Sequence, residues 1–384
     1  MTEALNVYVH EQLVGHLTKE QGEYIFQYVS QAEPEAFVSL TMPARRKGYV
    51  LPSLHPIFEM HLPEGYLLAL IKKQFAKLTG TDDFGLLRLL APSIRGRVHY
   101  DSTPDSAARP LNLDDLLQPG EGLFDELVER FALRSALSGV QPKVLAQLEN
   151  KVILKLDDYI VKAWGPEYPE LALNEYCCML AAREAGIPVP ECHLSDDDAL
   201  FIMKRFDLTD DGPALGFEDM CVLQARQREE KYTGSCEQLA KTIKQFCSPA
   251  HKQASLAQFF KMTVLNQRLQ NGDAHLKNFG LIYEDTQSVR IAPGYDIVST
   301  TAYIKRDIAA LTLMGSKKWW GKTHLIKFGM QACDLTHKQA SALYEECEHG
   351  LMQAHSYIQK RLAQNPNSHQ QQVLDHLARL CSVE

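Results

Sequence analysis

The stretch QNGDAHLKNFG, residues 270–280, gathers Asp273, His275, Lys277 and Asn278 between two glycines. Asn278 follows Asp273 by five residues, a D-x-x-x-x-N spacing used by phosphoryl-transfer loops. Such a loop aims a carboxylate at an acceptor hydroxyl and an amide oxygen at a divalent cation. On that reading Asp273 is the base, Asn278 a metal ligand and Lys277 a cation for the γ-phosphate, while His275 braces the loop. Taken alone, the segment also fits a polar turn between a helix and a strand.

Phosphoryl transfer needs more parts: a phosphate cradle, a cation on the α/β-phosphates and a second metal-binding oxygen. Asp296, in PGYDIVST at the end of an apolar run, fits the metal ligand, or else an N-cap for the next element. Lys162, in DYIVKAW, sits among strand-like apolar neighbours, where a lysine ordinarily snorkels to water. It also fits the strand lysine that pairs with phosphates and a helix glutamate, for which Glu175 is the candidate. SGVQPK (Ser138, Gly139, Val140, Gln141, Pro142 and Lys143) is the candidate cradle. With one glycine it matches neither standard phosphate-loop pattern, but its backbone N–H groups and Lys143 suit an anion. MKRFD, closing another apolar strand, offers Lys204, Arg205 and Phe206 as an adenine-binding hinge.

These parts need elements to hold them. NVYVHEQLVGHL alternates like a hairpin turning at its glycine, and YIFQYV and AFVSLTM read as further strands. LLALIKKQFAKL reads as a helix, followed by TDDFGLLRLLA. Residues 101–121, rich in Pro, Ser, Asp and Gly, read as a linker after a small N-terminal α/β subdomain at 1–100. Then come a helix in LFDELVERFAL, a strand–loop–strand through VILKL, YIVKAW, the helix ELALNEYCCMLAAREAG and the strand ALFIMKRFD. Helical patterns dominate from about 217 to 280. LIYED to VRIAPGYDIVST reads as two strands, and helices follow to 384. The expected fold is α+β: a two-lobed, protein-kinase-like pair of a mixed α/β N-lobe at 122–207 and a mostly helical C-lobe at 208–384.

Composition bounds the function classes. The chain has 384 residues, 45% hydrophobic and 23% charged, as a soluble globular protein does. No uncharged apolar run is long enough for a membrane span, and the N-terminus lacks a signal pattern. The nine cysteines include no CxxC pair, so reduced core thiols in a cytoplasm are expected and a zinc site is not. A net charge of −8 argues against direct nucleic-acid binding. Basic runs at Arg45–Lys47, Lys317–Lys318 and Lys360–Arg361 read as solvated faces, so any DNA role should come through a partner.

In order, SGVQPK, YIVKAW, NEYCCMLAAREAGIPVP, FIMKRFD, NGDAHLKNFGLIY and APGYDIVST resemble the HipA family of bacterial Ser/Thr kinase toxins. The likeness runs from about residue 1 to 350, most specifically in NGDAHLKNFG with YDIVST. It implies a serine/threonine kinase using ATP and Mg²⁺, with Asp273 as base and Asn278 and Asp296 as metal ligands. Nucleotide contacts would come from Ser138–Lys143, Lys162, Lys204–Phe206, His275, Leu276, Lys277, Asn278, Tyr295 and Asp296. The family silences itself by phosphorylating a serine in the phosphate loop, here Ser138, or Ser135 if the register shifts. Ala136 stands where the family often has serine. The resemblance also implies a helix-turn-helix antitoxin that carries the toxin to operator DNA, and an aminoacyl-tRNA synthetase as target. A small-molecule phosphotransferase of the aminoglycoside- or choline-kinase type, or a catalytically silent antitoxin-binding homologue, are the competing readings.

Overall fold

The computed structural model describes residues 4–63, 82–100, 113–119, 152–155, 158–209 and 212–382. The helices read in LLALIKKQFAKL and LFDELVERFAL, and the SGVQPK loop, lie outside the described residues.

The N-terminal unit is an antiparallel sheet of β1 (Ala4–Val9), β2 (Gln12–Glu20), β3 (Glu23–Tyr28), β4 (Tyr49–Leu51) and β5 (Val98–Tyr100), in the order β4-β3-β2-β1-β5. Its buried face packs on α1 (Pro56–Glu59) and α2 (Asp83–Leu90). The first hairpin turns at His10–Glu11, not at Gly15, with His10 in the left-handed region. Gly15 instead lies inside β2, where a Cβ would stand 2.6 Å from the Gln27 carbonyl oxygen and the Phe26 ring. Its role is close approach, not chain reversal. AFVSLTM is not a strand. It follows a 3₁₀ turn at Pro34–Ala36 and makes one bridge, Ser39 to Met42. Side chains answer its backbone: Val38 N–H donates to the Tyr28 hydroxyl (2.8 Å) and Leu40 N–H to Glu218 (2.7 Å). Within the stretch read as a linker, α3 (Leu113–Leu117) buries Leu116 against the same core.

The second sheet is β6 (Val152–Lys155), β7 (Tyr159–Ala163), β8 (Cys192–Leu194) and β9 (Leu200–Lys204), ordered β6-β7-β9-β8, with α4 (Leu171–Glu184) between β7 and β8. Alternation decides what each strand residue faces. Val161, Ala163, Leu200 and Ile202 join the core of the N-terminal unit, so the two units share one apolar layer. Phe201 and Met203 face the other way, into the core shared with α4. Lys162 belongs to this second set by register, being opposite Phe201.

The remaining unit holds the sheet β10 (Gly216–Asp219), β11 (Gly280–Tyr283) and β12 (Arg290–Ile291), in that order. Its helices are α5 (Met220–Leu223), α6 (Cys236–Phe246), α7 (Pro249–Arg268), α8 (Lys322–Ala332), α9 (His337–Leu362) and α10 (Ser368–Cys381). Strand β10 falls in a stretch read as helical. Its partner lies more than 60 residues on (Gly216 opposite Tyr283 begins the register), so no local pattern announces it. Among the described residues, all nine cysteines are unpaired and mostly buried. Burial pushes the Cys236 thiol up to about 12. No helix of the described residues is long and apolar enough to cross a membrane.

Polar contacts fix the N-terminal unit to the helical one. Buried Glu218 accepts from Ser39 Oγ (2.7 Å), Leu40 N–H (2.7 Å) and the Tyr283 hydroxyl (2.6 Å). Burial raises its pKa against these three bonds. Arg228 donates to both oxygens of Asp83 at 2.8 Å, and its backbone N–H donates to Glu59 at 2.8 Å.

Candidate active site

Strand register points Lys162 into the cleft between β7 and α4, where it is 3% exposed. It does not snorkel: Nζ donates to Glu175 Oε1 at 2.5 Å and to Asp296 Oδ1 at 2.6 Å. Burial opposes its charge, but the carboxylates of Asp296 and Glu175 outweigh that and hold its pKa above the ordinary lysine value. Glu175 reaches the lysine from the buried face of α4.

Asp296 stands on no strand. It lies beyond β12 in an irregular stretch, with φ at +58°, a region that aspartate tolerates better than most side chains. This conformation turns its carboxylate toward both Lys162 and the catalytic-loop candidate: Asn278 Nδ2 lies 2.5 Å from Asp296 Oδ2. Asn174, one residue before Glu175 on α4, fastens the segment after Asp296. Its Nδ2 donates to the Ser299 carbonyl (3.0 Å), and its Oδ1 accepts from Ser299 N–H (2.8 Å).

The loop itself is tightly braced. Asn271 Oδ1 accepts from Asp273 N–H at 3.1 Å, and Thr300 Oγ1 accepts from Gly272 N–H at 2.8 Å. A Cβ on Gly272 would fall 2.0 Å from Asp307 Oδ2, so a larger residue here must displace the Asp307 side chain. Asn278 Oδ1 accepts from His275 N–H (2.9 Å). Asp273 takes a hydrogen bond from the Tyr232 hydroxyl at 2.5 Å, and the Tyr232 ring stands edge-on to His275 with centroids 5.0 Å apart. Lys277 is engaged by a carboxylate outside the lysine–carboxylate cluster. Its Nζ bonds Asp219 at 2.7 Å, while Asp219 Oδ1 caps α5 through Val222 N–H.

At the other end of the cleft, Phe206, Phe217 and Tyr295 pack ring on ring, with Phe206 and Tyr295 centroids 5.5 Å apart. Tyr295 is fixed by a bond from its hydroxyl to the Lys277 carbonyl (2.8 Å). The three rings form an apolar surface beside the β9 exit, suited to a flat heteroaromatic base. Arg205 turns its side chain away, donating to the Arg95 carbonyl and to Asp207. Any nucleotide contact from Arg205 would therefore use its backbone.

The donors suit a hard divalent cation. Asp296 and Asn278 adjoin, and two carboxylates, Glu175 and Asp296, face one ammonium, Lys162. The cluster thus carries net negative charge, and Asn278 Oδ1 retains a second lone pair. One carboxylate and one amide oxygen, completed by phosphate oxygens and water, is a common Mg²⁺ arrangement. Among the described residues no group of three or more His, Cys, Asp or Glu could hold a metal ion by itself.

Sequence comparison matches two family profiles to the chain. The profile of the HipA-like C-terminal domain matches residues 135–355, and that of the HipA N-terminal domain matches residues 5–101. The chain belongs to the HipA family. Y4dM of Sinorhizobium fredii, named as a predicted kinase, is 30% identical over 311 residues, 74% of this chain and 71% of its own. Y4mE of the same organism, similarly named, is 25% identical over 334 residues, 78% of each. The structure of HipA from Shewanella oneidensis, solved with HipB and operator DNA, superposes with a TM-score of 0.70 over 98% of this chain and 96% of that one. At 16% identity that match concerns the fold, which is α+β and kinase-like.

Within this HipA-family fold, Lys162, Glu175, Asn278 and Asp296 form one bonded cluster, and Asp273 lies on the loop that carries Asn278. Leu276 is fully buried under that loop, with its N–H donating to the Lys231 carbonyl. Ser138–Lys143, with Ser135 and Ala136, lie outside the described residues. Three side chains that brace the candidate site escaped sequence reasoning: Asn174, Asp219 and Tyr232. Asp219 carried a local signal, an acid before the apolar run of α5. The other two act on residues far along the chain.

Proposed function

We propose that this HipA-family chain is an ATP- and Mg²⁺-dependent protein serine/threonine kinase acting as a growth-inhibiting toxin. The observation that carries the reading is the bonded cluster Lys162–Glu175–Asp296–Asn278 beside Asp273. Lys162 is placed to hold α/β-phosphate oxygens, and Asp296 and Asn278 to hold Mg²⁺. The aromatic surface of Phe206 and Tyr295 accepts the base, and Asp273 orients the acceptor hydroxyl and takes its proton. Bound ATP and Mg²⁺ supply the phosphoryl group and the neutralisation of its charge.

The proposal extends to regulation. Autophosphorylation at Ser138 and restraint by a helix-turn-helix antitoxin come from the family resemblance. The antitoxin is supported by the Shewanella relative, whose structure includes HipB and operator DNA. A chain of net charge −8 reaches DNA more readily through such a partner than alone. An aminoacyl-tRNA synthetase is the acceptor that the resemblance suggests.

The test is incubation with γ-labelled ATP, Mg²⁺ and a dephosphorylated bacterial lysate. Label is expected on protein serine or threonine, and is expected to vanish with Asp273→Asn. Label confined to small metabolites overturns the protein-kinase reading, and unchanged labelling by Asp273→Asn removes this site from the chemistry.

A further inference from the structure

Six large apolar or aromatic side chains are exposed among the described residues, and three of them, Tyr232, Ile304 and Ile308, border the loop of Asp273. Tyr232 bonds Asp273 directly. Ile304 and Ile308, 48% and 56% exposed, sit on a segment tied to the same loop. Gly272 N–H donates to Thr300 Oγ1, which donates to Asp307 Oδ2 at 2.5 Å, and Trp319 Nε1–H donates to the Asp307 carbonyl at 3.1 Å. The ledge is thus held in place beside the loop before anything binds, which lowers the ordering cost of association.

Between the two isoleucines stand Lys305 and Arg306, both exposed, and neither makes an ion pair among the described residues. Their neighbour Asp307, held by Thr300 and by the Ile308 N–H, offsets part of this charge and leaves the segment with a positive excess. A basic, aliphatic ledge runs against the chain's net charge of −8. A contiguous exposed apolar surface rimmed by polar side chains marks a protein-docking site. Aliphatic isoleucines suit a polypeptide better than a nucleic acid, whose bases stack on rings.

We propose that this ledge docks the acceptor protein and selects a serine or threonine flanked by acidic and aliphatic residues. The proposal rests on the protein-kinase reading and deepens it by naming the acceptor's local chemistry. Lys305 and Arg306 attract the acidic residues, Ile304 and Ile308 cover the aliphatic ones, and the hydroxyl is left at Asp273.

The experiment uses the full chain, ATP, Mg²⁺ and a dephosphorylated library of proteome-derived peptides, with labelled sites read by mass spectrometry. Wild type is expected to enrich Asp, Glu, Leu, Ile and Val around its sites. Lys305→Glu/Arg306→Glu should reverse the acidic preference to a basic one, changing the acidic-to-basic ratio by roughly tenfold or more. Misfolding cannot produce a reversal. Ile304→Ser/Ile308→Ser should erase the aliphatic enrichment alone. Wild-type sites without acidic enrichment, or an unchanged ratio in the charge-reversed variant, overturn the ledge while leaving the kinase reading intact. Inhibition of wild type by added RNA that spares the charge-reversed variant also overturns it, by assigning the cations to phosphate. No labelling of any peptide or lysate protein by wild type overturns the kinase reading itself.

Discussion

Lys162 Nζ and Asp296 Oδ1, 134 positions apart in the chain, meet at 2.6 Å, and Glu175 closes the same ammonium from α4 at 2.5 Å. Removing the lysine leaves two carboxylates facing each other, one of them wholly buried. Breaking a buried pair from one side costs about 3–5 kcal/mol. Lys162→Met should therefore lower unfolding stability by about that much, read from the urea midpoint, besides abolishing phosphoryl transfer. Lys162→Met/Glu175→Leu should recover most of the stability and none of the activity. A single variant as stable as wild type would show that the pair is not formed in solution.

The candidate catalytic loop is legible in the sequence because its polar groups are local: Asp273 and Asn278 lie in one stretch of eleven residues. Lys162 is legible as a strand residue, but only the alternation of β7, with Val161 and Ala163 committed to the N-terminal core, shows which way it must face. Other features depend on partners far away. Tyr232 has no motif, and its meaning comes from Asp273, 41 residues on. AFVSLTM has the composition of a strand, but its backbone is answered by Tyr28 and Glu218 side chains instead of a neighbouring strand. Glycine shows the same ambiguity. Gly15 looks like a turn and is a packing position, whereas Gly272 looks like a flank and packs closely against the Asp307 side chain.

Tyr232→Phe keeps the ring against His275 and deletes only the hydroxyl that holds Asp273. A hydrogen bond to a charged group is worth about 1.5–3 kcal/mol, so kcat should fall by roughly 10- to 100-fold. KM for ATP should stay unchanged, since the Tyr232 hydroxyl acts on Asp273, the proposed base. Tyr232→Phe/Asp273→Asn should be no slower than Asp273→Asn alone, because the hydroxyl acts through that carboxylate. Full additivity in steady-state kinetics would contradict this role.

Asn278→Ala removes one of the two adjoining proposed metal donors and the acceptor of His275 N–H. The Mg²⁺ concentration giving half-maximal labelling should rise by roughly tenfold or more, equivalent to about 1.4 kcal/mol per decade. Nucleotide affinity measured calorimetrically in EDTA should be alike in both proteins. A shift of the EDTA affinity with no shift in Mg²⁺ dependence would place Asn278 on the nucleotide instead of the metal.

Glu59 ends α1 where the N-terminal unit meets Arg228, and burial pushes its pKa from an ordinary 4.5 to about 7 although Arg228 N–H and guanidinium act against this. A carboxyl raised in the folded state binds its proton more tightly there than in the unfolded chain. Its contribution to stability is present in full below about 4.5 and is lost as pH rises through about 7. His55, which caps the same helix, works in the opposite sense. Burial lowers its pKa to about 4, so its neutral form favours the fold above its ordinary 6.5, a benefit lost as pH falls through 4. Glu59→Gln leaves the His55 contribution in place, so the difference between variant and wild type isolates Glu59. The Tm difference, variant minus wild type, should be more positive at pH 8 than at pH 5, by roughly 2 °C for each kcal/mol involved. A difference that does not change with pH would mean that Glu59 is ionised throughout, and that Arg228 fully offsets the cost of burying it.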